Sequence, residues 1–372
     1  MHAAKYSARA LGAVNGVALD NQLRGWLLDG SHGVDLFFVI SGFCLTFPFL
    51  HSLRAEGEGR LDLVEYMTHR IVRIVPPYYA AMAIFSGLII VLTSLGMTLP
   101  FGAMSWPTNA LDSARQLLFW DGSGGFVNGS FWTLAVEWRW YFVMPLLLFV
   151  WTRNQRAFWA IAFVAFILYH ATLFHIIDVA TLPAFMLGIV AAQIAVEGGG
   201  KWTRYALLGA VGCIAAAIVT SRLTGDAAVY QDQLFWQLAS FCFVVASNTG
   251  VLRTALSWAP LAFVGVASYS IYLVHEPIIA LVEQRTSVGP VIAGLIALLA
   301  GVAFWAIFER PVVSGAARDA LRRFVRPGVR TLVAWLRLQP DIVASSASIR
   351  SLPAIVKANG SDPSLSSAHV DG

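Results

Sequence analysis

The chain has 372 residues, of which 58% are hydrophobic and only 12% charged, and its mean hydropathy is +0.68. A soluble domain carries about 25% charged residues, so a water-soluble fold is excluded and membrane lipids are the expected surroundings. The net charge of +4, from 25 Lys and Arg against 21 Asp and Glu, falls in a few loops and toward the C-terminus, with no basic stripe interleaved with aromatics, which argues against a nucleic-acid partner.

Residues 1–32 are polar, Ala-rich and mixed in charge, and are read as an external N-terminal segment rather than a secretory leader. Nine apolar runs follow, near 33–53, 72–97, 131–151, 157–175, 181–196, 205–222, 233–247, 259–282 and 288–308. Each is about the length that crosses a ~30 Å hydrocarbon layer as helix. None shows the strict alternation of a barrel strand, and an unpaired backbone is not tolerated in lipid. The expected fold is therefore an all-α, polytopic transmembrane helical bundle of about nine spans over residues 33–310.

Loop charges give an orientation. One alternating set of loops holds Arg54, Arg60, Arg70 and Arg73, then Arg153 and Arg156, Lys201 and Arg204, Arg253, and the tail from Arg310; the other holds Arg115, Arg222 and Arg285. The positive-inside rule makes the first set cytoplasmic. Residues 54–70 are then inside, the Gly-rich 98–130 loop is outside as a candidate lid, and residues 1–32 are outside. Lys5, Arg9 and Arg24 run against that placement, which predicts a span ahead of Met1. Residues 311–338 alternate apolar and basic side chains and are read as a basic amphipathic cytoplasmic segment on an anionic leaflet, interrupted at Pro327-Gly328. Residues 339–372, rich in Ser, Ala and Pro, are read as disordered.

No Walker loop, G-x-S-x-G elbow or H-E-x-x-H is present, which disfavours NTP hydrolysis, serine-hydrolase chemistry and zinc proteolysis. Cys44, Cys213 and Cys242 lie in apolar runs with no C-x-x-C spacing or partner His, so no disulfide and no metal site is expected. The candidates are polar residues inside spans, where a charge costs about 2.5–3.5 kcal/mol at mid-bilayer. Glu137 sits about 9 Å into its run at 1.5 Å per residue, and Arg139 points to a different face. Asp35 stands at the entry of the first run, as a solvated or capping carboxylate or as part of a site. His275, with Tyr272 in Ser268-Tyr269-Ser270-Ile271-Tyr272-Leu273-Val274-His275-Glu276-Pro277, is either a structural partner for carbonyls freed by a kink at Pro277 or a substrate-binding group. Arg70 and Arg73 share a helix face below Pro76-Pro77, which is expected to open the helix and form a basic mouth for a phosphate-bearing ligand. Two layers result, with arginines toward the cytoplasm and Asp35, Glu137 and His275 in the outer half.

Five strings carry a resemblance: Gly33-Val34-Asp35-Leu36-Phe37-Phe38-Val39-Ile40-Ser41-Gly42-Phe43, Arg70-Ile71-Val72-Arg73-Ile74-Val75-Pro76-Pro77-Tyr78-Tyr79, Trp132-Thr133-Leu134-Ala135-Val136-Glu137, the 268–275 string above, and Phe308-Glu309-Arg310-Pro311. In order, they resemble the motifs of the membrane acyltransferase-3 family, whose members O-acylate lipopolysaccharide, exopolysaccharide and related glycans. The likeness runs from about residue 2 to 312. It implies ten helices, acyl-CoA (acetyl-CoA foremost) as donor substrate, a carbohydrate acceptor, and an inner-membrane location. It also implies a His in the first helix, paired with an Arg eleven positions earlier; His2 looks like that His, and the Arg is absent. Under the resemblance His2 is the general base and Glu137 orients it or stabilises its charge. Two departures are Trp138, where a second acid often follows the glutamate, and His69, where the first of two basic residues is expected. The rival reading is a proton-coupled transporter or flippase of a glycan or lipid-linked precursor, using the same buried groups as a relay.

Overall fold

A computed structural model describes residues 32–100, 102–107, 109–120, 127–170, 177–199, 202–224, 232–336 and 341–345. The chain is an all-α bundle with one small strand pair. Its elements are α1 (Gly33–Glu56), β1 (Glu58–Asp62), α2 (Leu63–Ser94), α3 (Ala110–Leu117), α4 (Phe131–Arg153), α5 (Gln155–His170), α6 (Ile177–Val196), α7 (Trp202–Thr224), α8 (Gln233–Ser247), α9 (Gly250–Leu256), α10 (Ala259–Val266), α11 (Ser268–Arg285), α12 (Pro290–Phe304), a π turn (Trp305–Glu309), α13 (Arg310–Val313), α14 (Gly315–Trp335) and β2 (Asp341–Ser345). Among the described residues five helices are long and apolar enough to cross a membrane: α1, α2, α4, Asp178–Val196 and Val291–Val313. The number rises to seven if the bent pairs α8–α9 (87°) and α10–α11 (74°) each count as one span, and the shorter apolar helices Gln155–Tyr169 and Tyr205–Ser221 account for the other two expected runs.

The core forms where α1 meets α6. Phe38 and Val39 of α1 and Phe185, Met186 and Ile189 of α6 are fully buried there. Small residues permit the crossing: a Cβ on Gly42 would land on the Phe185 carbonyl oxygen, and one on Gly188 on the Val39 carbonyl oxygen. Lipid gives helices no hydrophobic reason to associate, so close backbone approach and dispersion must hold such a pair. Gly301 of α12 plays the same part against Ile271 of α11.

Several expectations change. The second helix begins at Leu63, not near 72, with Asp62 capping it by accepting from the Glu65 amide at 2.9 Å; Arg70 therefore lies inside it. Pro76-Pro77 does not open that helix, and Pro277 does not break α11. The break stands at Ala267, between α10 and α11. Nor does Pro327-Gly328 interrupt α14, which runs unbroken from Gly315 to Trp335. Within the stretch read as disordered, Asp341–Ser345 is a strand that pairs antiparallel with β1 in the register Glu58 to Ser345. The N-terminal segment expected to be external falls, apart from His32, outside the described residues.

Candidate active site

Two prolines prepare the site. A proline inside a helix has no N–H for the carbonyl four residues earlier. Pro145 of α4 thereby frees the Tyr141 carbonyl, and the Tyr66 hydroxyl of α2 donates to it at 3.1 Å. Pro277 frees the Leu273 carbonyl, and the buried Asn128 side-chain amide donates to it at 2.5 Å. The Asn128 oxygen in turn accepts from the Ser130 amide at 3.0 Å and the Ser130 hydroxyl at 2.7 Å. The end of the loop that leads into α4 is thus pinned to α11.

With α2 and α4 fixed in this way, Glu137 stands at their seam. It is 6% exposed. The Ser41 hydroxyl of α1 donates to its Oε1 at 2.9 Å, and Tyr141, one turn on, hydrogen-bonds the same carboxylate. Tyr66 pairs with Tyr141, while Tyr78 packs on Phe131 at 4.5 Å, so α2 and α4 are antiparallel and Arg70 is level with Glu137. The Arg70 guanidinium lies 5.7 Å from the ring centres of both Tyr66 and Tyr141, and its buried Nε has no partner. Both Arg70 and Arg73 are within electrostatic reach of Glu137 and of Cys44. The two layers expected from loop charges therefore merge: the paired arginines sit beside the carboxylate, not a leaflet away from it.

Tyr272 and His275 lie one turn nearer the start of α4. The Tyr272 hydroxyl meets the Thr133 hydroxyl, its ring stacks on Phe37 at 5.8 Å, and its carbonyl takes a hydrogen bond from His275 Nδ1 at 2.7 Å. His275 is thus bonded to its own helix, at a carbonyl other than the one Pro277 frees, which Asn128 takes. Arg139 points away from Glu137, as its helix position requires, and clasps Asp178 of α6 in two bonds of 2.7 and 2.9 Å.

Asp35 belongs to a separate cluster. It is 5% exposed, so it is neither a solvated carboxylate nor a helix cap. His32 Nδ1 lies 3.0 Å from one of its oxygens, and the Gln237 amide donates to the other at 3.3 Å. His32 Nε2 lies 3.7 Å from Asp232, and the His32 ring stacks on Trp236 at 4.7 Å. Sequence reading missed His32 and Asp232, which stand outside the apolar runs and 200 positions apart.

It missed Glu309 as well. That carboxylate is 2% exposed, stands on the π turn, and accepts from the Ser270 hydroxyl at 2.5 Å. Arg73 lies within its electrostatic reach too. Single π turns inside α-helices recur at functional sites, and the 308–311 string was the available signal. His2 lies outside the described residues. Among those residues no three His, Cys, Asp or Glu side chains are placed to hold a metal ion, and the three cysteines are free.

The profile of a family described as an acyltransferase domain matches residues 9–310. The chain belongs to that acyltransferase family. It is 23% identical to the putative peptidoglycan O-acetyltransferase YrhL of Bacillus subtilis over 82% of this chain and 51% of that protein. To O-acetyltransferase OatA of Staphylococcus aureus it is 25% identical, over 91% of this chain and 62% of the relative. A putative O-acetyltransferase of S. aureus, SACOL0978, is 22% identical over 73% of this chain and 50% of its own length. The chain thus spans between half and two thirds of these relatives. No solved structure matches it.

Proposed function

We propose that this chain is a membrane-bound O-acyltransferase that moves an acyl group, acetyl in the first instance, from acyl-CoA to a hydroxyl of a cell-surface or exported glycan. Family membership supports the reaction class, the likeness to two O-acetyltransferases supports acetyl, and that to YrhL, a putative peptidoglycan O-acetyltransferase, supports a glycan. The observation that carries the reading is the buried Glu137, held by Ser41 and Tyr141 with Arg70 and Arg73 beside it. A lone carboxylate in a span is costly; one within electrostatic reach of two guanidiniums makes a polar cluster of the kind a charged substrate requires.

In this reading Arg70 and Arg73 receive the phosphates of the donor, because a planar guanidinium matches phosphate oxygens in pairs. The acceptor hydroxyl oxygen attacks the thioester carbonyl, the tetrahedral oxyanion collapses, the C–S bond breaks, and the hydroxyl proton finishes on the departing thiolate. His2 is the proposed base that carries this proton, and Glu137 orients it or balances its charge. Tyr272 and Asp35 line the acceptor side. The inner membrane, where acyl-CoA is at hand on one face, is the proposed location.

The test is transfer of labelled acetyl from acetyl-CoA to glycan fragments by the purified chain in vesicles, with and without His2→Ala. Thioester-dependent product that disappears with His2→Ala and with Glu137→Gln supports the reading. Uptake of a glycan driven by a pH gradient, with no acetylated product, would instead establish the transporter.

A further inference from the structure

The described helix least suited to a bilayer interior is α14, with five arginines and one aspartate in 21 residues. It begins at Gly315, directly after the apolar span Val291–Val313 ends, and extends about 30 Å at 1.5 Å per residue. One face is occupied. Val329 and Val333 are buried and Val325 is partly so, all joined to the core, and Arg322 pairs with Glu65 in the first turn of α2. Arg318 is taken by Asp319 at 2.9 Å.

The opposite face is not occupied. Phe324 is 82% and Trp335 76% exposed, and eleven residues of helix bring them back to within about 20° of the same line. Leu332 is exposed beside them. On the flank stand Arg323, Arg326 and Arg330, exposed and with no acidic partner among the described residues. Two large aromatics and a leucine bordered by three free guanidiniums form an amphipathic face with its charge on one side.

We propose that α14 is an interfacial anchor for an anionic leaflet. Phe324, Leu332 and Trp335 enter the boundary between headgroups and acyl chains, and Arg323, Arg326 and Arg330 bind the phosphates of acidic phospholipids. The occupant is lipid because the helix starts two residues after a span ends, which sets its first turn at a membrane surface, and because the unpaired charge on this face is all positive. The sequence suggested a basic segment on a leaflet; the structure assigns which face turns to lipid and which grips the bundle. Through Arg322 and Glu65 the anchor holds the first turn of α2, the helix that carries Arg70 and Arg73.

The experiment places an environment-sensitive fluorophore at residue 324 (Phe324→Cys, with Cys44, Cys213 and Cys242 replaced by Ala) in the full chain. It compares phosphatidylcholine vesicles with vesicles that also contain phosphatidylglycerol. Emission should shift to the blue and be quenched by nitroxide lipids in the acidic vesicles. Replacing all three flanking arginines by glutamine should lower the ratio of seated to free helix on the order of 100-fold. High salt on the arginine-bearing labelled chain should move the emission the same way without any substitution in the helix. Emission that is water-like in both vesicles, or identical in both and indifferent to salt, would overturn the proposal. So would a shift that requires a second protein or tracks chain concentration in detergent. None of these readouts depends on acyl transfer.

Discussion

Replacing Arg70 by Lys keeps the charge and removes the geometry. The guanidinium plane lies 5.7 Å from two tyrosine rings, Tyr66 and Tyr141. A cation over one ring contributes about 0.5–1 kcal/mol when exposed and about 2 when desolvated. Arg70 is half-buried, and an ammonium is a compact point charge that keeps only part of both contacts. A loss of about 1–2 kcal/mol corresponds to a rise of about 5–30-fold in the acetyl-CoA KM. Initial rates in vesicles, with donor and acceptor varied in turn, measure it. Tyr66→Leu should mimic part of the effect, and the pair together should fall short of the sum, because the residues share one contact. If the acceptor KM moved while the donor KM stayed fixed, Arg70 would not be a donor group and the cluster around Glu137 would have to be assigned to the glycan.

Three further outcomes are expected. Glu137→Gln still accepts from Ser41 through its carbonyl oxygen, so the protein should remain folded by detergent thermal-shift assay while kcat falls about 100-fold or more; an unchanged kcat would remove Glu137 from the chemistry. Gly42→Leu would drive a side chain into the Phe185 carbonyl and should cost about 3 kcal/mol or more, seen as lost monodisperse protein in size exclusion, whereas Gly265→Ala, with open space around it, should be nearly silent. Asn128→Ala leaves the Leu273 carbonyl without its donor and should lower stability by about 1–3 kcal/mol; with Pro277→Ala present the helix supplies that donor, so the cost should shrink by at least half.

The apolar runs were legible because length and composition decide what crosses a bilayer, and each of them carries a helix among the described residues. What composition averages away was not. The start of α2 was missed because Glu65, His69 and Arg70 interrupt its hydropathy, although Asp62 supplies an ordinary helix cap. Counting Arg70 and Arg73 as loop charges then moved them a leaflet away from Glu137. The break at Ala267 is preceded only by Gly265, a single glycine inside an apolar run, whereas Pro277, which announces a break more strongly, is accommodated by Asn128 from 149 positions earlier. Glu137 and the arginines could be picked out singly from the chain. Their meeting depends on Tyr66 reaching Tyr141 across 75 positions, a pairing that no local pattern contains.

Both prolines have the same structural consequence at opposite sides of the candidate site, and this bears on how the site holds its geometry in lipid. A helix in hydrocarbon has no water to satisfy a freed carbonyl, so each proline obliges the fold to deliver a donor from another segment. At Pro145 the donor is Tyr66, and the same tyrosine presents its ring to Arg70. At Pro277 it is Asn128, which also fixes Ser130 at the entrance to the helix bearing Glu137. Neither donor can turn away without exposing a carbonyl, at a cost of about 1–3 kcal/mol each. The groups nearest Glu137 are therefore positioned by backbone demands on either side of it. Chemistry that depends on a fixed approach of hydroxyl to carbonyl benefits from that rigidity. A transporter whose moving parts met at these two seams would have to break both links in every cycle, whereas acyl transfer needs neither to move.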